Sequence, residues 1–301
     1  MIFEEYMCDY ARRLAAREPS FALQMRYDPR EELPDDFGAD PFGERTHASG
    51  CFGLKQRFPD RVLVMAADRC FANCRHCTRR GLLGDAQVVR TDAQLEAAVR
   101  YVRARPEVRD VLISGGDPLT LDDDAVMRFV NAFASLEQIE VVRLCTRALC
   151  TNPGRVTPEL AARLAMSEKV WVNTQFNCAA ELTPEARLAC GLLVSVGVPV
   201  SCQTVLLKGV NDSVEKLLDL FRALQRARVR PYYVFTCDPV AGISHFRVSA
   251  ACAAELERLC AERIGGLAMP RFVADVPGAR RKVPVRELLS EGAAQPSSVM
   301  R

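Results

Sequence analysis

RVLVMAADRCFANCRHC, residues 61–77, decides how the chain is read. It opens on a β-rich run at 61–65 and places Cys70, Cys74 and Cys77 on the loop that leaves it. Ahead of it, residues 1–60 are polar and broken by proline and glycine, which predicts one or two short helices and an extended lead-in. Behind it, the pattern alternates. Thr91 with Gln94 forms a capping box before LEAAVRYVRAR, whose apolar spacing is helical and which stops at Pro106. Strands are expected at 110–114, 140–144, 170–175, 198–207, 231–235 and 271–275. Helices are expected at 122–136, 157–166, 183–197, 214–226 and 249–263, with Gly197 as a C-cap.

Strand–helix repetition of this kind argues an α/β fold, a parallel sheet with covering helices. Six or seven units fit an open or nearly closed barrel better than a full eight. The expected fold is a partial (β/α)6-type TIM barrel behind a short N-terminal helical lead-in. The divisions are 1–56 for the lead-in, 57–286 for the barrel and 287–301 for a flexible tail, whose SEGAAQPSSVMR is small and polar. In such a barrel, chemistry collects at the C-terminal ends of the strands.

Composition narrows the partners. Forty Lys and Arg face 38 Asp and Glu among 301 residues, for a formal charge of +2, which gives nucleic acid no electrostatic case. No run of 18 apolar residues exists, so no membrane span is expected. The start, MIFEEYMCDYARR, lacks an apolar signal core. Thirteen cysteines, an odd number without an export signal, fit a reducing, cytoplasmic setting, where clustered cysteines more often mean metal or redox chemistry. With three histidines in all, a His-rich metal site is excluded.

Cys70-Phe71-Ala72-Asn73-Cys74-Arg75-His76-Cys77 puts three thiols within eight residues on one loop. Iron–sulfur clusters are usually held by four cysteines, so three leave one iron open to another ligand. Free cysteines are also common buried residues. Zinc, with His76 as fourth ligand, is a further option, set back by the place of His76 inside the group. Ser114-Gly115-Gly116-Asp117 ends the next strand. Glycines there let the backbone approach a ligand closely, and Asp117 offers an acceptor to an ammonium group. An ordinary βα turn accounts for the same residues.

The C-x3-C-x2-C spacing after the first barrel strand resembles the radical S-adenosylmethionine (SAM) enzymes. Ser114, Gly115, Gly116 and Asp117 resemble that family's Gly-Gly-acid motif, which faces the methionine amino group. The resemblance implies the radical SAM fold, with a [4Fe-4S] cluster on Cys70, Cys74 and Cys77. It also implies SAM on the open iron, cleaved to a carbon radical. More narrowly, RFPDRVLVM, CRHCTRR, SGGDPL, VLLKGVND, RPYYVFTCD, SHFR and DVPGARRK occur in this order. Together they are similar to the lysine 2,3-aminomutase family across about residues 35–285. That family binds pyridoxal 5′-phosphate (PLP) as well, and moves an amino group from Cα to Cβ.

The resemblance implies roles residue by residue. Lys282, ending Pro277-Gly278-Ala279-Arg280-Arg281-Lys282, is the PLP lysine, and its two adjacent cations are expected to lower its pKa. From sequence alone RRK also reads as a basic surface loop. Arg57 and Arg61 grip the PLP phosphate, although both also read as surface partners of Asp60. Phe58 stands between them where the family has tyrosine. Gln203 lies near the cofactors. Arg79 binds the substrate carboxylate, and Asp238 and Asp275 hold a side-chain ammonium, which counts against glutamate as substrate.

Several positions depart from the family. Its Asn-Thr-His-Phe-Asn-His is here Asn173-Thr174-Gln175-Phe176-Asn177-Cys178, so local cofactor contacts differ. Ser213 replaces a zinc cysteine, and the chain ends before the extension that carries the other three. That zinc is not expected, and the interlocked oligomer it bridges is expected to be different or absent. The expected function is conversion of L-lysine to β-lysine, with a reductase or flavodoxin-type electron donor. The alternatives are an arginine or other basic amino acid 2,3-aminomutase in natural-product biosynthesis, a lysine mutase for translation-factor modification, and a cluster- or PLP-binding relative without mutase activity.

Overall fold

The computed structural model describes residues 3–44, 50–81 and 88–290. The lead-in holds α1 (Asp9–Arg17) and α2 (Pro19–Met25), then a 3-10 turn (Pro29–Glu32) capped by the Asp28 side chain. β1 (Leu54–Phe58) pairs antiparallel with β2 (Arg61–Ala67). The sequence reading leaves most of β1 in the lead-in, because LKQRF carries no alternation; an edge strand buried at only its two ends needs none.

The alternation then runs as expected. α3 (Asp92–Arg103) starts at Thr91 with the full reciprocal capping box to Gln94. β3 (Asp110–Gly115), α4 (Asp123–Ala134), β4 (Val141–Cys145), the short α5 (Ala148–Thr151) and α6 (Pro158–Leu164) follow. Next come β5 (Val170–Gln175), α7 (Pro184–Ser195), β6 (Val200–Leu206) and α8 (Val214–Arg226). β7 (Arg230–Thr236), α9 (Ala250–Ala261), β8 (Arg271–Ala274), β9 (Val283–Pro284) and α10 (Glu287–Ser290) complete the chain. Gly197 has φ +88° after α7, and Val198 N–H donates back to the Leu193 carbonyl, as a glycine C-cap requires. Ser213, in the zinc-cysteine position, is the N-cap of α8. The stretch expected to be flexible from 287 begins as α10; residues 291–301 lie outside the described residues.

The strands lie in the order β1 to β9, with β2 to β8 parallel and an antiparallel strand at each edge. Seven parallel strands in sequence order are an open barrel of six strand–helix units plus one strand. The outward faces (Val62, Val64, Val111, Ile113, Val142, Leu144, Val170, Val172) are buried with Phe129, Phe133, Leu160, Leu193 and Phe221 of the helices. Phe221 of α8 meets Phe272 of β8 edge to face, with ring centroids 6.5 Å apart, the arrangement that aromatic quadrupoles favour. The other face carries Arg143, Cys145, Asn173, Gln175 and Gln203 into the barrel. Packing the apolar residues outward leaves that interior polar at its C-terminal mouth.

Candidate active site

The cysteine loop leaves β2 and is tied down by the lead-in. Cys8 N–H donates to the Phe71 carbonyl (2.7 Å), Asn73 N–H to Tyr6 (2.8 Å) and Arg75 N–H to Gln24 (2.7 Å). Arg75 is fully buried and forks onto Glu31, whose Oε2 also takes Arg80. Burial first, then Asp117, Cys77 and Cys74, push the Cys70 thiol well up; burial and Cys74 push Cys77 to about 11. The three thiols therefore sit within electrostatic reach of one another. Among the described residues no three ligand side chains close around a single metal ion. A cubane cluster does not need that, since its cysteines bind different irons, whereas zinc does. His76 Nε2 lies 3.0 Å from Gln175 Nε2, and burial and then Arg147 lower its pKa.

The Gly-Gly-acid turn packs on this loop. A Cβ at Gly115 (φ +111°) would lie 2.3 Å from the Ala67 carbonyl oxygen, and one at Gly116 would lie 2.3 Å from that of Arg69. The close approach these glycines permit is thus to the chain's own cysteine loop. Asp117 N–H donates to the Arg69 carbonyl (2.7 Å), and Ser114 is buried at the end of β3. The Asp117 carboxylate accepts from Leu119 N–H (3.0 Å), the Thr146 hydroxyl (2.6 Å) and Arg147 N–H (2.9 Å). Burial raises its pKa, which these donors oppose.

Arg147, just past β4, was not singled out in the sequence. Its Nη1 donates to Cys74 Sγ at 2.7 Å, and its Nη2 to Gln24 Oε1 (2.6 Å) and Glu181 Oε1 (3.1 Å). Gln24 also donates to Glu181 (2.6 Å), and Asn177 donates to Gln24 (2.8 Å). Gln24, Asn177 and Glu181 are fully buried. Position at a strand end was the signal for Arg147; no local pattern marks Gln24 or Glu181.

A second group of charges gathers at β1, β7 and β8. Lys282 Nζ donates to Asp275 Oδ2, and Arg57 Nη1 lies 2.6 Å from Asp275 Oδ1. Arg57 Nη2 also donates to the Val276 carbonyl (2.7 Å). Three cations share the Phe58 ring. Arg57 Cζ lies 5.3 Å from its centroid, Arg61 Cζ 4.4 Å and Lys282 Nζ 5.4 Å. Asp238 accepts from the Thr78 hydroxyl at 2.6 Å, and burial raises its pKa to about 6 against the pull of Thr78. Asp275 pushes it further up, while Lys282 and Arg57 push it down. Burial also lowers the pKa of Lys282, assisted by Arg57 and opposed by Asp275. The expected cause was Arg280 and Arg281. Arg281 instead points outward to Glu287, so the cation that acts is Arg57. Lys282 is a quarter exposed, not a surface-loop residue.

Other expected residues lie nearby. Arg79 forks onto Glu44, which the sequence did not single out. Arg61 does form the surface pair with Asp60 (3.3 Å) as well as lying over Phe58. Gln203 donates to the Tyr232 hydroxyl, which also accepts from Asn173 (3.1 Å). A small apolar cluster of Cys178, Leu207, Val210, Cys237, Val240, Ile243 and Phe246 packs at the strand ends, with Phe246 edge-on to His76 at 6.2 Å.

A cysteine loop after the first parallel strand and a Gly-Gly-acid turn after the second define the class. Residues 64–221 match the Radical SAM superfamily, and the chain belongs to it. An example among solved structures is the Streptococcus suis protein SuiB bound to S-adenosylmethionine. It has a TM-score of 0.53 at 18% identity, over 72% of this chain and 51% of that one. Within the superfamily the chain belongs to the lysine 2,3-aminomutase family. It is 41% identical over 233 residues to an L-lysine 2,3-aminomutase of Acetoanaerobium sticklandii, covering 77% of this chain and 56% of that protein. It is 40% identical over 247 residues to a provisionally named L-lysine 2,3-aminomutase of Treponema pallidum, covering 82% and 69%. It is 35% identical over 268 residues to a glutamate 2,3-aminomutase of Clostridioides difficile, covering 88% and 62%. The chain spans little more than half the length of most curated relatives it matches. No helix among the described residues is long and apolar enough to cross a membrane.

Proposed function

We propose that the chain is a radical SAM, PLP-dependent 2,3-aminomutase that converts L-lysine to β-lysine, reduced by a flavodoxin-type donor. The observation that carries this is the Lys282–Asp275–Arg57 triad beside Asp238, at the same barrel mouth as the cysteine loop. Cys70, Cys74 and Cys77 would hold a [4Fe-4S] cluster, and residues 114–117 would face SAM. Together these groups supply the carbon radical that removes hydrogen. Lys282 offers a partly desolvated amine to PLP, and Arg57 and Arg61 offer planar donor forks to its phosphate. Bound PLP supplies the conjugated ring over which an unpaired electron spreads.

The chain's own residues do the rest. Arg79 binds the α-carboxylate. Asp238 and Asp275 bind the side-chain ammonium; Lys282 Nζ sits on Asp275 Oδ2, and moving Lys282 away frees that oxygen. Thr78, adjacent to Cys77, fixes Asp238, so the cluster loop and the substrate acids share one frame. The apolar cluster around Phe246 excludes water from the radical steps. Two acids oppose a glutamate side chain, although one relative bears that name.

The test is anaerobic incubation of reconstituted protein with SAM, PLP, reductant and labelled lysine, arginine, ornithine or glutamate. β-Lysine with 5′-deoxyadenosine is expected. Deoxyadenosine released with arginine alone would move the assignment to that substrate. In Lys282→Ala the visible absorbance of bound PLP should vanish while the cluster's absorbance stays. A PLP band that survives would remove Lys282 from its role.

A further inference from the structure

We infer that Glu44 is a positioning residue for Arg79, setting which edge of its guanidinium meets the substrate carboxylate. This rests on the reading of Arg79 as the carboxylate-binding arginine. A guanidinium has two edges that take a carboxylate in two bonds: the side edge, Nε with Nη2, and the end edge, Nη1 with Nη2. Glu44 occupies the side edge, with Nε to Oε2 at 2.7 Å and Nη2 to Oε1 at 2.7 Å. Nη1 makes no hydrogen bond among the described residues, which leaves the end edge to a second anion. A stand-in for the substrate would sit on either edge and leave on binding. A residue that holds the side edge aims the other one and stays.

Glu44 is itself held. Its N–H donates to Asp40 Oδ1 (2.8 Å), and Gly43, with φ +63°, closes the turn by donating to the Asp40 carbonyl (3.2 Å). The same turn places buried Phe42 against the Arg57 guanidinium, 4.8 Å from ring centroid to Cζ. One turn of the lead-in thus braces both the carboxylate arginine and a phosphate arginine. The Arg79 and Glu44 side chains are 22% and 20% exposed. The pair is therefore less screened than a surface one and still reachable by a ligand. Two carboxylates on one guanidinium need more positive charge nearby. Burial opposes ionisation of Glu44, but Arg79, Lys55 and Arg57 hold its carboxyl below the usual range. From Arg79 the chain runs back through Thr78, which binds Asp238, so the braced edge has a fixed relation to the substrate acids.

The test is equilibrium binding, without reductant, of L-lysine and of cadaverine to reconstituted protein. Cadaverine is lysine without its carboxylate. In Glu44→Gln the lysine Kd should rise about tenfold, the worth of one charged hydrogen bond. Cadaverine should bind as to the wild type. Glu44→Asp should recover most of the loss, and Glu44→Gln should add nothing in an Arg79→Ala background. If Glu44→Gln fails to fold, Glu44→Asp carries the same comparison, with a smaller loss confined to lysine. Unchanged or tighter lysine binding by a variant with normal cluster content overturns the inference, as does an equal loss of cadaverine. A wild-type protein that binds lysine no better than cadaverine instead brings down the reading of Arg79, and this inference with it.

Discussion

Asp238 shows how one residue can work against the fold and for the ligand. Burial holds its carboxyl near pKa 6, against 3.8 in the unfolded chain. Between these values the folded chain binds the extra proton, so stability falls as pH rises from about 4 to about 6. The difference corresponds to about 3 kcal/mol in all. Asp238→Asn removes that slope, so wild-type and variant thermal melts should converge near pH 4 and the variant should be the more stable at pH 7. Substrate binding has the opposite sign. An ammonium needs the carboxylate, so wild-type lysine affinity should climb through about pH 6, and the Asn variant should lose that climb. Parallel melting curves from pH 4 to 7 would show that Asp238 is not the buried acid described. The Asp275 pair is built differently: Arg57 and Lys282 already neutralise it, so its readiness depends on which cation stays.

Among the elements, the β3 turn shows where sequence and structure part. The strand–helix rhythm, the Thr91 capping box and the Gly197 C-cap were legible because each is set by neighbours within a few residues. The strand-end rule points to the cysteine loop after the first barrel strand, whereas Asp238 and Asp275 came from the family resemblance. β1 was not legible, since a polar edge strand shows no period. The Gly115-Gly116 pair was legible as a close approach but not as an approach to backbone from another element. Its consequence is testable. In Gly116→Ala the new methyl would meet the Arg69 carbonyl, which is backbone and cannot swing aside. We expect a loss of about 1–3 kcal/mol, and a fall in iron bound on reconstitution, because the displaced segment carries Cys70. Gly191→Ala, whose Cβ meets nothing within 4 Å in α7, is the control. Iron content equal to that control would mean that the turn does not brace the cluster loop.

At the scale of the whole molecule, the lead-in is part of the site rather than a preface to the barrel. Sequence placed no functional residue before Arg57, and the reason is distance along the chain. Gln24 meets Glu181 across 157 residues, Asn177 across 153 and Arg147 across 123. No window of sequence contains such a pair. In three dimensions Gln24 of α2 joins the loops after β4 and β5, while its carbonyl accepts from Arg75 in the cluster loop. Arg147, aimed by this network, reaches Cys74. Replacing Gln24 by alanine leaves Arg147 and Glu181 paired with each other but strips a donor from Glu181 and acceptors from Arg147 and Asn177. An unsatisfied buried group costs about 1–3 kcal/mol, so a melting temperature several degrees lower is expected, at roughly 2–4 °C per kcal/mol for a chain of this size. Since Arg147, which loses its Gln24 acceptor, is the residue that donates to Cys74, bound iron should fall together with stability. Gln225→Ala, on the exposed face of α8, should change neither. If Gln24→Ala melted and bound iron like Gln225→Ala, α2 would be packing against a cluster loop that orders itself.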